Sequence, residues 1–116
     1  MTYREITRST SASLGKLRTT IPDTLRAFGA LAQAATRDGT LDRKTKELVA
    51  MALSVAARCD PCIAYHAEAL VRLGATRAEL DEVLGMCVTM GGGPSLMYAA
   101  RAVEAFDEFA AGAASA

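Results

Sequence analysis

Nowhere in this chain do apolar and polar side chains alternate strictly enough to line one face of a half-buried strand. Apolar positions recur instead at spacings of three and four, between proline and glycine breaks. That pattern confines the fold to the all-α class. Pro22 opens "PDTLRAFGALAQAATRDG", where a missing N–H costs nothing in a first turn, with Leu25, Phe28, Leu31 and Ala32 on one face and Gly39 closing the segment. Asp42 is placed to cap "RKTKELVAMALSVAAR", whose apolar stripe is Leu48, Met51, Ala52 and Val55. "CDP" interrupts that helix, because a residue before proline avoids the helical region. A new helix then runs from Pro61 to Leu73 and ends at Gly74. "TRAE" at 76–79 has capping-box spacing and starts a helix reaching about Met90. "GGGP" at 91–94 breaks it, and a last helix covers about Ser95 to Phe109. A short helix over 8–19 precedes these. The expectation is one domain over 1–116, a bundle of about five to six helices with a central antiparallel hairpin, an N-terminal arm at 1–20 and a frayed tail at 111–116.

Composition narrows the function classes. Thirteen acidic and thirteen basic residues leave no net charge, so nothing argues for nucleic acid or an anionic membrane surface as partner. The polar start lacks the apolar core of a signal peptide, and no run approaches the roughly 18 apolar residues of a membrane span. The cytoplasm is the expected compartment, and cysteines there are usually free, metal-bound or catalytic. The last helix is apolar around most of its circumference, from Leu96 and Met97 through Ala99, Ala102, Val103 and Phe106 to Phe109. Such a helix is buried on more sides than one small domain can cover, which predicts a homo-oligomer.

The chemistry concentrates in "RCDPCIAYHAEAL". Cys59, Cys62 and His66 are three and four residues apart, so all three fall in one row on a helix that starts near the "CDP" bend. Unpaired N–H groups and the positive pole at a helix start stabilise a thiolate. The spacing supplies a thiol, a second thiol within disulfide reach and a base. Glu47 lies twelve residues before Cys59. Folding the two helices into a hairpin leaves it about four residues, or roughly 6 Å, out of register with His66, which a glutamate side chain and a modest tilt can span. The expected order is Glu47, His66, Cys62, a relay in which each group orients the next. Which sulfur acts as nucleophile stays open on these grounds: the helix start favours Cys59, and the spacing to His66 favours Cys62. The competing readings are buried core residues, a zinc site built from Cys59, Cys62, His66 and Glu47, and a solvated Glu47 among the charges of "RKTKE". Cys87 reads as core filling, and "GGGP" as a break that lets two helices approach.

Glu47, the C-x-x-C-x-x-x-H of "CDPCIAYH" and the later "MGGGPSLMYAARAVEAF" together resemble the AhpD-like (alkylhydroperoxidase) branch of the carboxymuconolactone decarboxylase family, over about residues 20–110. The resemblance implies an all-helical subunit in trimers or hexamers, with hydroperoxide as substrate and a protein or small-molecule dithiol as reductant. By that analogy Cys62 forms a sulfenic acid, Cys59 resolves it into a disulfide, and His66 and Glu47 relay the proton, with no cofactor and no metal. The best characterised members carry a further histidine just before the second cysteine, where this chain has Pro61. Two other functions compete: a decarboxylase or lactone-processing reaction, as the family name suggests, and a non-catalytic oligomeric module that senses redox state or binds zinc.

Overall fold

The computed structural model describes residues 1–115, with side chains through residue 113. Six helices follow one another: α1 Tyr3–Thr20, α2 Pro22–Thr36, α3 Arg43–Ala56, α4 Asp60–Arg72, α5 Arg77–Gly91 and α6 Gly93–Ser115. No strand occurs among the described residues. The all-α expectation holds, and α3 and α4 form the central antiparallel hairpin.

Helix α4 sits at the centre, packed on α6, α3 and α1. Its Ile63, Ala64, Ala67 and Leu70 face Met51 and Val55 of α3, Leu80 and Leu84 of α5, and Ala102, Ala105, Phe106 and Phe109 of α6 in one buried cluster. The small residues let helix axes approach closely, and the few large side chains fill what remains.

The turns explain the geometry of the site. At the end of α3, Arg58 N–H donates to Val55 O and Cys59 N–H to Ser54 O, both at 3.1 Å. This is a Schellman motif, and it puts Arg58 in the left-handed region at φ 57°. Cys59 follows as the N-cap of α4. The next turn repeats the motif with Gly74 at φ 78°, and Thr76 then caps α5 in a full capping box with Glu79. Asp42 caps α3 by accepting from Thr45 N–H at 2.8 Å. At the α5–α6 junction Gly92 takes φ 70° and ψ −152°, a conformation closed to side-chain-bearing residues. A Cβ on Gly91 would lie 1.9 Å from the Oγ of buried Ser95. The break does bring two helices together.

Two elements are longer than the sequence pattern suggested. The helix expected over 8–19 begins at Tyr3, because Thr2 and Glu5 form a capping box and Tyr3 is buried in the core. The arm at 1–20 is therefore a helix packed on α4 and α6. The expected frayed tail at 111–116 continues α6 to Ser115, in an alanine-rich stretch of high helix propensity; Ala116 lies outside the described residues.

The apolar face of α2 is uncovered. Phe28 is 66% and Leu31 64% exposed, and no residue of α2 is buried. On α6, Leu96 and Met97 are likewise exposed, so the helix buries one side within the chain and leaves another open. Met86 and Met90 of α5 also lie on the surface.

Candidate functional site

Cys59 and Cys62 are joined as a disulfide, with Cα atoms 5.2 Å apart. The pairing follows from the backbone: Cys59 is the extended N-cap, Pro61 sits in the first turn, and one turn of helix returns Cys62 beneath Cys59. Cys59 Sγ also accepts the Cys62 N–H at 3.2 Å. It thus occupies the place where a serine or aspartate would cap the helix, facing the free N–H groups and the positive helix end. A thiolate formed there on reduction meets a hydrogen-bond donor already in position.

His66 lies one turn further along α4, on the rim of the same face. Its Nδ1 is 2.6 Å from Glu47 Oε2. Glu47 is only 5% exposed, while about a third of the His66 side chain reaches solvent. The solvated reading of Glu47 is therefore overturned. The four-residue register offset of the hairpin is bridged by the glutamate side chain. With its Nδ1 proton held by the carboxylate, a neutral His66 carries its lone pair on Nε2. All four sequence-predicted residues, Glu47, Cys59, Cys62 and His66, come from this one hairpin.

Three surrounding contacts hold the hairpin. Tyr65, beside His66, donates its hydroxyl to Thr7 O at 3.1 Å and bonds Ser11 Oγ at 2.5 Å, tying α4 to α1. Ser54 is buried and donates back to Ala50 O at 2.7 Å. Asp60, the residue after Cys59, pairs through Oδ2 with an Arg101 guanidinium nitrogen at 2.5 Å. Arg101 in turn lies 4.7 Å over the Tyr98 ring. Sequence reasoning missed this last contact. The available signal was that Arg101 is the only basic residue of α6.

Cys87 is buried on α5, its Sγ near Ala52 O and Val83 O, and burial raises its thiol above the usual range. It packs as core, as expected. Among the described residues no group of three or more His, Cys, Asp or Glu side chains is arranged to hold a metal ion. No described helix is long and apolar enough to cross a membrane.

With this geometry in hand, the comparison with known proteins is decisive for ancestry. The model of the carboxymuconolactone decarboxylase family matches residues 22–105. The chain belongs to that family. A carboxymuconolactone decarboxylase family protein from Legionella pneumophila, solved in its apo form, superposes with a TM-score of 0.92 at 57% identity, covering 93% of this chain and 96% of that one. A family member from Thermotoga maritima, described in terms of a possible role in the antioxidative response, superposes with a TM-score of 0.78 at 34% identity, over 90% of this chain and 88% of that one. An uncharacterized protein of Cupriavidus necator is 44% identical over 93 residues, 80% of this chain and 82% of its own length. The six-helix architecture and the paired cysteines are consistent with the AhpD-like branch.

Proposed function

We propose that this family member is a thiol-dependent peroxidase and disulfide oxidoreductase of the AhpD-like type. The observation that carries the reading is the disulfide-bonded pair Cys59–Cys62 at the start of α4, one helical turn from a histidine bound by a buried carboxylate. The cycle starts from the reduced pair. The Cys62 thiolate attacks a hydroperoxide oxygen; an S–O bond forms, the O–O bond breaks, and the departing alkoxide takes a proton to leave as alcohol. His66, oriented by Glu47, first accepts the Cys62 proton and then returns it. The Cys59 thiolate, favoured by its capping position, attacks the sulfenic sulfur of Cys62. An S–S bond forms, the S–O bond breaks, and hydroxide leaves as water after protonation. Two thiol–disulfide exchanges with a dithiol partner restore the pair. The chemistry requires no prosthetic group, and the cytoplasm supplies the dithiols it consumes.

The description of the Thermotoga maritima relative in antioxidative terms supports the reading. The single histidine here, with Pro61 before Cys62, leaves proton transfer to His66 alone. We further propose that the chain works as a homo-oligomer, trimeric or hexameric. The uncovered Phe28 and Leu31 of α2, Met86 and Met90 of α5, and Leu96 and Met97 of α6 are the faces a second copy would bury.

The test is peroxide consumption with a dithiol reductant, with mass spectrometry after one equivalent of hydroperoxide. Cys62→Ser should abolish turnover, and Cys59→Ser should stop the cycle at a Cys62 sulfenic acid. Full activity in the Cys62→Ser protein, or turnover that survives alkylation of both cysteines, sinks the mechanism and favours a decarboxylase-like reaction.

A further inference from the structure

The contact between Asp60 and Arg101 ties the start of α4 to α6 but adds little to stability, since both side chains are more than a third exposed. Its position is the informative feature. Asp60 follows Cys59 directly and opens the first turn of α4, so an unpaired carboxylate there would put a negative charge on the residue next to the thiol pair. Like charge disfavours a thiolate. Asp60 Oδ1 is sealed from solvent without a hydrogen-bond partner, so Arg101 on Oδ2 is the group that compensates this carboxylate. The Tyr98 ring beneath the guanidinium keeps Arg101 in place.

We propose that Arg101 is a positioning residue that acts through Asp60, cancelling the aspartate's field at the Cys59–Cys62 pair and so keeping the reduced dithiol acidic enough to react. The inference rests on the dithiol reading given above. Other charged and titratable groups come from each element packed against the start of α4. From α3 comes Glu47, held by His66; from the turn, Arg58; from α1, Tyr3, whose hydroxyl is raised first by burial and then by Glu104, Asp60 and Glu108. Glu104 and Glu108 share α6 with Arg101, and Glu108 is engaged by the Tyr3 and Arg4 backbone N–H groups. Among these, Arg101 is the cation that contacts Asp60.

The test is the pH dependence of iodoacetamide alkylation of the reduced full-length protein, resolved by peptide mass so that Cys87 is read separately. Arg101→Gln should raise the midpoint of the more acidic dithiol cysteine by about one unit, the low end of neighbouring-charge shifts because the pair is partly solvated. That slows alkylation near neutrality by up to about tenfold. Asp60→Asn should lower the midpoint, since it leaves Arg101 uncompensated. The double variant should return near the wild-type value, and Arg101→Lys should preserve it. Simple loosening of the helix start cannot give opposite shifts that cancel. Shifts of the same sign, or midpoints that do not move, overturn the proposal. Should Arg101→Gln fail to fold, Asp60→Asn and Arg101→Lys decide alone: an unmoved Asp60→Asn midpoint overturns it. Because the readout is thiol acidity rather than turnover, a protein inactive toward hydroperoxides would refute the peroxidase reading and leave this measurement intact.

Discussion

Removing His66 while leaving Glu47 should cost more stability than removing both. Glu47 is 5% exposed, and its carboxylate has His66 Nδ1, at 2.6 Å, as its hydrogen-bond partner among the described residues. Breaking a fully buried charged pair costs about 3–5 kcal/mol, because the remaining charge is left without a partner. His66 is about one-third exposed, so water recovers part of that, and about 2 kcal/mol is expected for His66→Ala. At this chain length 1 kcal/mol moves the melting midpoint by about 4 °C, so the midpoint should fall by about 8 °C. Glu47→Leu combined with His66→Ala removes both polar groups and fills the space with apolar atoms, and should recover most of the loss. Glu47→Gln preserves shape and a hydrogen bond; it should melt close to wild type yet lose about a hundredfold in kcat/KM for hydroperoxide, since the imidazole loses the carboxylate that orients it. The assay is thermal unfolding followed by circular dichroism at fixed protein concentration, because assembly makes the midpoint concentration-dependent, alongside steady-state peroxide consumption. A His66→Ala midpoint within 2 °C of wild type, by the scale just given, or a double variant less stable than His66→Ala, would refute the dependence of Glu47 on His66. Undiminished activity in Glu47→Gln would refute the relay.

Three further outcomes follow from the same structure. Arg58→Gly should raise stability by about 0.5 kcal/mol in thermal unfolding, as relief of a side chain at φ 57° outweighs the added freedom of the unfolded chain; a loss would show that the arginine side chain makes a stabilising contact. Asp42, bonded by Thr45, and Glu79, bonded first by Lys44, are held below their ordinary values of 3.8 and 4.5. Their contribution is therefore complete above those values and drains away as the pH falls through the lower folded-state values, so Asp42→Asn with Glu79→Gln should flatten the acid limb of a pH-stability curve measured by urea unfolding. Cys87, raised by burial, should stay unmodified at neutral pH in the folded, reduced protein while the dithiol is alkylated; labelling of Cys87 at a comparable rate would contradict its packing.

What was legible in the sequence and what was not divide along a physical line. The hairpin site could be read because each of its relations is local or geometric: Cys59, Cys62 and His66 share a row by helical spacing, and Glu47 reaches that row by counting back from one bend. The start of α1 was missed although Thr2 and Glu5 carry the same capping-box spacing as Thr76 and Glu79, because no apolar run of clear period follows them. The partnership of Asp60 with Arg101 joins residues 41 positions apart, and no periodic signal encodes such a meeting. The two turns flanking α4 make the distinction sharpest. Both are Schellman motifs with a left-handed residue at the same place; Gly74 announces one, whereas Arg58 conceals the other. A glycine there would have marked the turn in sequence and relaxed the backbone. With Arg58 in its place, the three-residue connection between α3 and α4 is held by the packing of the two helices, and that same packing sets the register of Glu47 against His66. Loosening this turn should therefore disturb the Glu47–His66 contact before it disturbs the rest of the core.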